Sequence, residues 1–209
     1  MKIGIIGHGN VGGTLGKGLA KAGHVIKWGV RNPSDPKLSA LIAEAGVSAS
    51  AGTVSDAVEF GDVVILTVPA NAVQATIKEM GDMSGKILLD ATNPMKADFS
   101  GLEIGLTTSS AERIAGWSPE ARVVKIFNST GAANMANPKY GDTNLTMLYC
   151  GDDSKAKKVA AELASDLGFD PIDAGALSRA RLLEPLAMLW VNLAFGGMGT
   201  EFAFQIIRR

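Results

Sequence analysis

The sequence predicts an α/β protein built around a doubly wound, mainly parallel sheet. Short apolar runs alternate regularly with helix-like segments, which is typical of parallel strands joined by helices. The run at residues 62–68 is almost continuously apolar, as expected for a strand that is buried on both faces. A glycine-rich turn directly follows the first strand-like run. These three observations predict the fold class.

The predicted strands and helices follow one another along the whole chain. Each strand is a short β-rich run, and each helix has apolar residues at helical spacing, as at Val11, Leu15 and Leu19. The predicted strands lie at residues 3–6, 25–30, 47–49, 62–68, 86–91, 122–127, 144–150 and 169–173. The predicted helices lie at residues 10–22, 37–45, 53–60, 71–80, 110–117, 154–167 and 177–195, the last with a bend at Pro185.

Composition excludes several classes of protein. With 209 residues, 46% of them apolar, the chain can bury a full core, and its net charge of −1 offers no basic field for nucleic acid or an anionic membrane. The single cysteine, Cys150, excludes a disulfide framework and a cysteine zinc site, and two histidines exclude a His-rich metal centre. Without a recognisable targeting or spanning segment, we expect a cytoplasmic protein with no nucleic-acid and no membrane partner.

The turn after the first strand carries the pattern G-x-G-x-x-G between a predicted strand and a predicted helix. In a Rossmann-type fold the first glycine allows the turn, the second lets the backbone approach a pyrophosphate, and the third lets helix and strand pack closely. The alternative, a purely structural glycine turn, is less consistent with this context. The predicted pyrophosphate loop consists of Gly7, His8, Gly9, Asn10, Val11 and Gly12.

The end of the second strand indicates NADP rather than NAD. An NAD enzyme places a carboxylate there for the ribose hydroxyls. This chain has Val30, Arg31 and Asn32, and no carboxylate before Asp35. The Arg31 guanidinium suits a 2′-phosphate, whereas a carboxylate would repel it. The alternative is that Arg31 is an ordinary solvated loop residue.

Three further strand ends are expected to line the cleft, because ligands of open α/β sheets bind at the carboxyl ends of the strands. These ends lie at residues 68–70, 93–95 and 127–133. Asn93 and Asn128 can hold a carboxamide or a ring edge without titrating. We predict that Pro69, Asn93 and Asn128 orient the rings, the alternative being that they only form turns.

The sequence offers no acid–base pair for reducing a carbonyl. Neither Tyr140 nor Tyr149 has a helical lysine four residues later. Hydride transfer between two ring systems requires stacking and orientation rather than a proton donor. We therefore predict no catalytic acid, base or nucleophile and no metal site, and a flavin or deazaflavin as the acceptor.

Several stretches resemble one known family. They lie at residues 7–12, 29–33, 123–128, 150–153, 157–159, 171–178 and 181–186. Over nearly its whole length the chain resembles the NADP-dependent oxidoreductases of the deazaflavin coenzyme F(420). It is also similar to the NADPH-binding reductase domain of the six-transmembrane metalloreductases.

This resemblance implies a Rossmann domain, a small C-terminal part that closes the cleft, and direct hydride transfer from a stacked nicotinamide. It implies pyrophosphate contacts at residues 8–11, a 2′-phosphate site at Val30 and Arg31, and nicotinamide-half contacts at Val68, Ala70, Asn93, Met95 and Ala132. Two positions depart from the family. Val30 stands where serine is usual, which implies a weaker NADP preference, and Asn128 stands where the deazaflavin enzymes carry histidine.

The overall expectation is an NADP(H)-dependent oxidoreductase with a small-molecule redox acceptor: a deazaflavin, a flavin or a ferric chelate. Residues 1–143 form the NADP-binding domain, and residues 144–209 form a small C-terminal α/β part that shares its core. The apolar C-terminal helix is also consistent with a homodimer interface. One alternative is a non-catalytic NADPH sensor. A β-hydroxyacid or imine reductase is less favoured, because those relatives carry a large helical domain after the Rossmann part.

Overall fold

The computed structural model describes residues 1–207 and residue 209. The described strands are β1 (Lys2–Ile6), β2 (Val25–Gly29), β3 (Ala49–Gly52), β4 (Val63–Leu66), β5 (Ile87–Asp90), β6 (Arg122–Lys125), β7 (Lys139–Tyr140), β8 (Thr143–Asn144), β9 (Thr146–Gly151) and β10 (Asp170–Asp173). The described helices are α1 (Asn10–Lys21), α2 (Pro36–Ala45), α3 (Val54–Phe60), α4 (Val73–Met80), α5 (Ser110–Trp117), α6 (Ala132–Ala136), α7 (Ser154–Asp166) and α8 (Ala180–Leu193).

One large sheet holds the structure together. Its strand order is β10-β9-β6-β5-β4-β1-β2-β3. Strands β1 to β6 pair in parallel, whereas β9 pairs antiparallel with β6 and β10 lies parallel to β9. The predicted Rossmann-type sheet with a small C-terminal α/β extension is therefore confirmed. Because β1, β2, β4, β5 and β6 are parallel, their carboxyl ends meet at one edge of the sheet, which is called the cleft edge below.

Helices cover both faces of the sheet and bury two apolar clusters. Helices α1, α2 and α7 pack on one face, around residues such as Ile5, Leu15 and Trp28. Helices α3, α4, α5 and α8 pack on the other face, around residues such as Leu66 and Leu183. Burying these side chains supplies the main driving force for folding. The two layers leave the cleft edge as the place where loops converge.

Helix α1 contains four glycines, Gly12, Gly13, Gly16 and Gly18, and it packs close to the sheet through two of them, Gly12 and Gly16. A Cβ atom on Gly16 would lie 2.2 Å from the indole Cζ2 of Trp28. The indole Nε1–H of Trp28 donates to the carbonyl oxygen of Gly12 at 3.1 Å. The close approach therefore fixes the start of α1 relative to β2.

Some boundaries differ from the sequence-based prediction. The strand predicted at residues 122–127 ends at Lys125, and Phe127 adopts a φ of 60°, outside the extended region. The strand predicted at residues 47–49 lies at Ala49–Gly52. Helix α8 runs through Pro185 and is flanked by a short 3-10 turn and a π-turn, so the helix predicted at residues 177–195 is shorter than expected.

The C-terminal part adds to the same sheet. Strands β9 and β10 extend it beyond β6, while α7 and α8 pack on its opposite faces. The division at residue 143 stays a prediction. Within the described residues, no helix combines the length and the apolar character that a membrane crossing requires.

Candidate active site

The turn between β1 and α1 has the geometry of a phosphate-binding loop. Gly7 has a φ of 103°, which suits glycine, and its N–H donates to the carbonyl oxygen of Gly29 at 3.0 Å. Gly9 precedes α1, and no described side chain caps this end of the helix. The first N–H groups of α1 are therefore free to bind an anion, and the helix dipole adds partial positive charge there.

The second and third glycines of the motif have different surroundings. A Cβ atom on Gly12 would lie 2.3 Å from the carbonyl oxygen of Gly7 and 2.5 Å from the Thr67 hydroxyl oxygen. Around a Cβ atom on Gly9, no described heavy atom lies within 4 Å. Gly12 therefore serves packing, whereas Gly9 borders open space at the helix N-terminus, where a pyrophosphate would fit.

The loop after β2 presents one cation to solvent. Arg31 is exposed and forms no ion pair with any residue that the structure describes. Val30 is buried, so its side chain faces the core and only its backbone could contact a ligand. The side-chain oxygen of Asn32 accepts from the Ser34 N–H at 3.2 Å, which shapes the turn. The predicted 2′-phosphate site therefore depends on Arg31.

His8 connects the phosphate loop to the loop that carries Arg31. Its Nε2 lies 3.1 Å from the Asp35 carboxylate, which also accepts from the Lys37 N–H at 2.9 Å and caps α2. The hydrogen bonds from the Lys37 backbone and from His8 lower the pKa of Asp35. Asp35, the first carboxylate after Arg31 in the sequence, is thus already engaged within the protein. Contact between His8 and a cofactor stays a prediction.

Small or apolar residues occupy the other predicted contact positions at the cleft edge. Val68 and Ala70 are half-buried after β4, and Pro69 between them is exposed. Met95, after β5, is half-buried and bridges Leu102. Ala132 begins α6, which packs against α1. The strand order places these residues on loops that share one edge with the phosphate loop.

Asn93 and Asn128 bind each other rather than facing the cleft as a pair. The Nδ2 of Asn93 donates to the Asn128 carbonyl oxygen at 2.9 Å, and the Nδ2 of Asn128 donates to the Asn93 Oδ1 at 3.0 Å. The Nδ2 of Asn128 also donates to the carbonyl oxygen of Leu183 on α8 at 3.0 Å. Asn128 is only 4% exposed. Asn93 therefore has the more accessible position, and a ring contact by Asn128 stays a prediction.

A fully buried charge cluster lies directly behind these asparagines. The Lys125 Nζ is 2.8 Å from an Asp90 oxygen and 3.0 Å from a Glu184 oxygen, and all three side chains are 0% exposed. Burial lowers the pKa of Lys125, but the charges of Asp90 and Glu184 outweigh it and raise the pKa above its usual value. The lysine is therefore an ammonium at neutral pH.

The sequence analysis missed this cluster. Its members are separated by 35 and 59 residues, and each lies within an apolar run, as in Val123-Val124-Lys125-Ile126-Phe127. A charged residue at the centre of a predicted buried strand is the signal that could have revealed it, because such a charge is rarely buried without a partner. The partners themselves could not be chosen without the strand order.

Cys150 lies in the same buried region, and its thiol is expected to be unreactive in the folded protein. Burial raises the pKa of the thiol to about 12. At pH 8 the native protein should not react with a thiol-specific chromogenic reagent. The urea-unfolded chain should react and release one equivalent of chromophore per chain. A folded pKa above the unfolded 9.0 stabilises the fold below pH 9, and this contribution is lost as the pH rises further. Rapid labelling of the native protein would contradict the burial.

Comparison with known proteins decides the family. The family described as NADP oxidoreductase, coenzyme F(420)-dependent, matches residues 2–94. The F(420)-dependent NADP reductase of Methanothermobacter thermautotrophicus is 32% identical over 207 residues, which cover 92% of this chain and 89% of that protein. The chain belongs to the F(420)-dependent NADP reductase family. The predicted family and the predicted enzyme class, an NADP-dependent oxidoreductase, are thereby confirmed.

Two further comparisons describe the extent of the likeness. A solved structure from Arthrobacter sp. FB24, provisionally assigned as an F(420)-dependent NADP reductase, superposes with a TM-score of 0.91 at 30% identity and covers 100% of both chains. The metalloreductase STEAP3 of Rattus norvegicus is 32% identical over 218 residues, covering 99% of this chain. The present chain spans 42% of that metalloreductase. The likeness to the Arthrobacter structure therefore extends over the full length of both chains.

Proposed function

We propose that this F(420)-dependent NADP reductase family member binds NADP(H) at the cleft edge and passes a hydride between its nicotinamide and a deazaflavin or flavin ring. The site fits the dinucleotide because the uncapped start of α1 and the space beside Gly9 suit a pyrophosphate. Exposed Arg31 suits the 2′-phosphate. When bound, NADP(H) supplies the hydride chemistry, and the chain supplies orientation and exclusion of water.

The choice of acceptor rests on an apolar cavity beside the loop that follows β6. It has a volume of about 220 Å³ and is lined by Ser129, Thr130, Leu145, Thr146, Leu148, Leu186, Ala203, Phe204, Gln205 and Ile206. Whole small ligands occupy pockets of roughly 300–1,000 Å³. The cavity therefore suits the ring portion of an acceptor whose polar tail remains in solvent.

The side chains around the proposed nicotinamide position favour transfer between rings over carbonyl reduction. Val68, Ala70 and Ala132 carry no proton donor, and the charge cluster of Asp90, Lys125 and Glu184 is 0% exposed. Transfer between stacked rings depends on distance and alignment, which apolar walls can provide. This arrangement supports a deazaflavin or flavin acceptor.

The test mixes the purified protein and NADPH with F(420), FMN, FAD or a ferric chelate and follows absorbance of the nicotinamide. We expect oxidation of NADPH by F(420) or by a flavin. NADPH that carries deuterium at the transferred position should place the label on a ring carbon of F(420), where it does not exchange with water. Tight NADPH binding without turnover of any acceptor would favour the sensor and overturn this proposal.

A matched pair of variants on α8 tests the position of the acceptor. Leu186 lines the cavity, whereas Leu189 on the same helix is 49% exposed and lies outside it. Leu186→Trp should fill the cavity and raise the KM for the acceptor by about tenfold or more, since overpacking leaves little room for a ring. Leu189→Trp should behave like the wild type. NADPH affinity should be unchanged in both variants.

A further inference from the structure

We propose that the buried cluster of Lys125, Asp90 and Glu184 positions the two walls of the transfer site relative to each other. One wall is the loop after β5, which carries Asn93 near the proposed nicotinamide position. The other wall is α8, which carries Leu186 beside the proposed acceptor. The inference rests on the proposed function and assigns roles to three residues that neither ring would touch.

The first part of the argument is how the cluster sits at the strand ends. Asp90 and Lys125 are the last residues of β5 and β6, and they are direct partners in the strand register. The ammonium of Lys125 donates to Asp90 at 2.8 Å and to the Thr92 carbonyl oxygen at 2.5 Å, and it lies 3.0 Å from Glu184. The ammonium therefore has two hydrogen-bond acceptors and a second carboxylate at ion-pair distance, all supplied by the protein.

The cluster holds the loop that carries Asn93. The second oxygen of Asp90 accepts from the Thr92 N–H at 2.9 Å and from the Thr92 hydroxyl at 2.7 Å. With the Lys125 bond to the Thr92 carbonyl, every polar group of Thr92 is fixed. Asn93 follows directly and is joined to Asn128 in the loop after the neighbouring strand β6. The position of Asn93 in the loop after β5 is thus fixed by these hydrogen bonds.

The same cluster holds α8. The carboxylate of Glu184 accepts from the Ser110 N–H at 3.0 Å and the Ala111 N–H at 3.2 Å, so it also satisfies the start of α5. The preceding residue, Leu183, accepts from the Asn128 amide. Leu186 lies two residues after Glu184 on the same helix. The distance between the Asn93 loop and the acceptor cavity is therefore fixed through Glu184 and Lys125.

Stability alone does not account for the charges. Two carboxylates and one ammonium are buried at 0% exposure, and well-packed apolar residues often replace such clusters without loss of stability. The N-terminal N–H groups of α5 offset part of the extra negative charge of Glu184. What the charged groups add is directional: the Lys125 ammonium binds Asp90 and the Thr92 carbonyl oxygen of one wall and lies 3.0 Å from Glu184 of the other.

Glu184→Gln tests the inference, because the amide keeps the shape of the carboxylate but loses its charge. We expect kcat with the acceptor to fall about 10- to 100-fold, as small misplacements of reacting groups do, with NADPH affinity changed by less than about threefold. The deuterium isotope effect on kcat should rise, because the transfer step becomes slower. Amide hydrogen exchange at Thr92 and Asn93 should become faster.

Arg181→Gln is the matched control. Arg181 forms an ion pair with Glu112 between the same two helices, at 2.6 Å, but does not contact the strand ends. It should lower the melting temperature without changing kcat or the isotope effect. A Glu184→Gln variant that is less stable but has wild-type kcat and unchanged exchange at Thr92 and Asn93 would show a purely structural cluster and overturn the inference. Equal losses in kcat and NADPH affinity would also overturn it.

Two provisions keep the test decisive. If Glu184→Gln does not fold, the neutral triple variant Asp90→Asn/Lys125→Met/Glu184→Gln replaces it, since it leaves no unpaired buried charge. If the wild type turns over no acceptor, the proposed function fails. The NADPH affinity and the amide exchange of the variants then still decide whether the cluster positions the loop.

Discussion

Replacing Gly9 with valine is expected to abolish binding of both NADPH and NADH while the chain remains folded. The backbone at Gly9 has φ of −68° and ψ of −167°, which a valine can adopt, and no described heavy atom lies within 4 Å of the new Cβ. The valine would instead occupy the space that the pyrophosphate needs beside the helix N-terminus. Affinity should fall by at least about 100-fold for either dinucleotide, measured by titration calorimetry.

Gly12→Ala is the control that separates ligand exclusion from misfolding. Its Cβ would lie 2.3 Å from the carbonyl oxygen of Gly7, so the loop and helix must move apart. This variant should lose melting temperature as well as affinity, whereas Gly9→Val should lose affinity alone. Wild-type binding by Gly9→Val would mean that the loop does not hold a pyrophosphate.

Arg31→Ala is expected to weaken NADPH binding about 10- to 150-fold and to leave NADH binding nearly unchanged. The guanidinium is exposed, and in the described part of the chain it has no carboxylate partner that would compete for it. Buried Val30 offers no side-chain donor that could compensate. The ratio of the two dissociation constants, measured at one ionic strength, is the decisive quantity.

Lys21→Ala controls for net charge in this comparison. Lys21 lies at the far end of α1 and carries the same formal charge as Arg31. Its removal should change neither dissociation constant appreciably, because an exposed charge at this distance is screened by salt. Equal weakening of NADPH and NADH by Arg31→Ala would contradict the assignment of the 2′-phosphate site.

Local patterns were sufficient to predict the first half of the fold. The glycine spacing at residues 7–12, the strand before it and the helix after it are neighbours in the chain, so their relation can be recognised without tertiary contacts. The direction of β9 could not be predicted in this way. Periodicity predicts that a strand exists, but β9 is covered on both faces, and such a strand lacks alternation whether its neighbour is parallel or antiparallel. The antiparallel pairing of β9 with β6 therefore required the structure.

The surroundings of Gly9 and Arg31 agree with the roles that the sequence predicts: Gly9 borders open space and Arg31 is exposed, while contact of either residue with a cofactor stays a prediction. The packing of Asn128 could not be predicted in the same way. Its place after a strand predicted contact with a ligand, which stays a prediction, but its burial against Leu183 of α8 follows a positive φ at Phe127 that the sequence pattern does not reveal. The direction in which a side chain points after a strand depends on one dihedral angle that apolar patterning does not encode.

The four glycines of α1 have a consequence for dynamics. Each glycine inside a helix costs about 1 kcal/mol relative to alanine, so α1 has a low intrinsic tendency to remain helical. Its order depends on packing against Trp28 and on whatever occupies its open N-terminus. A dinucleotide bound there would restrain a helix whose own tendency to form is low. Part of the binding free energy would thus be used to suppress local opening of α1. Cofactor affinity would therefore be coupled to the conformational entropy of the free enzyme.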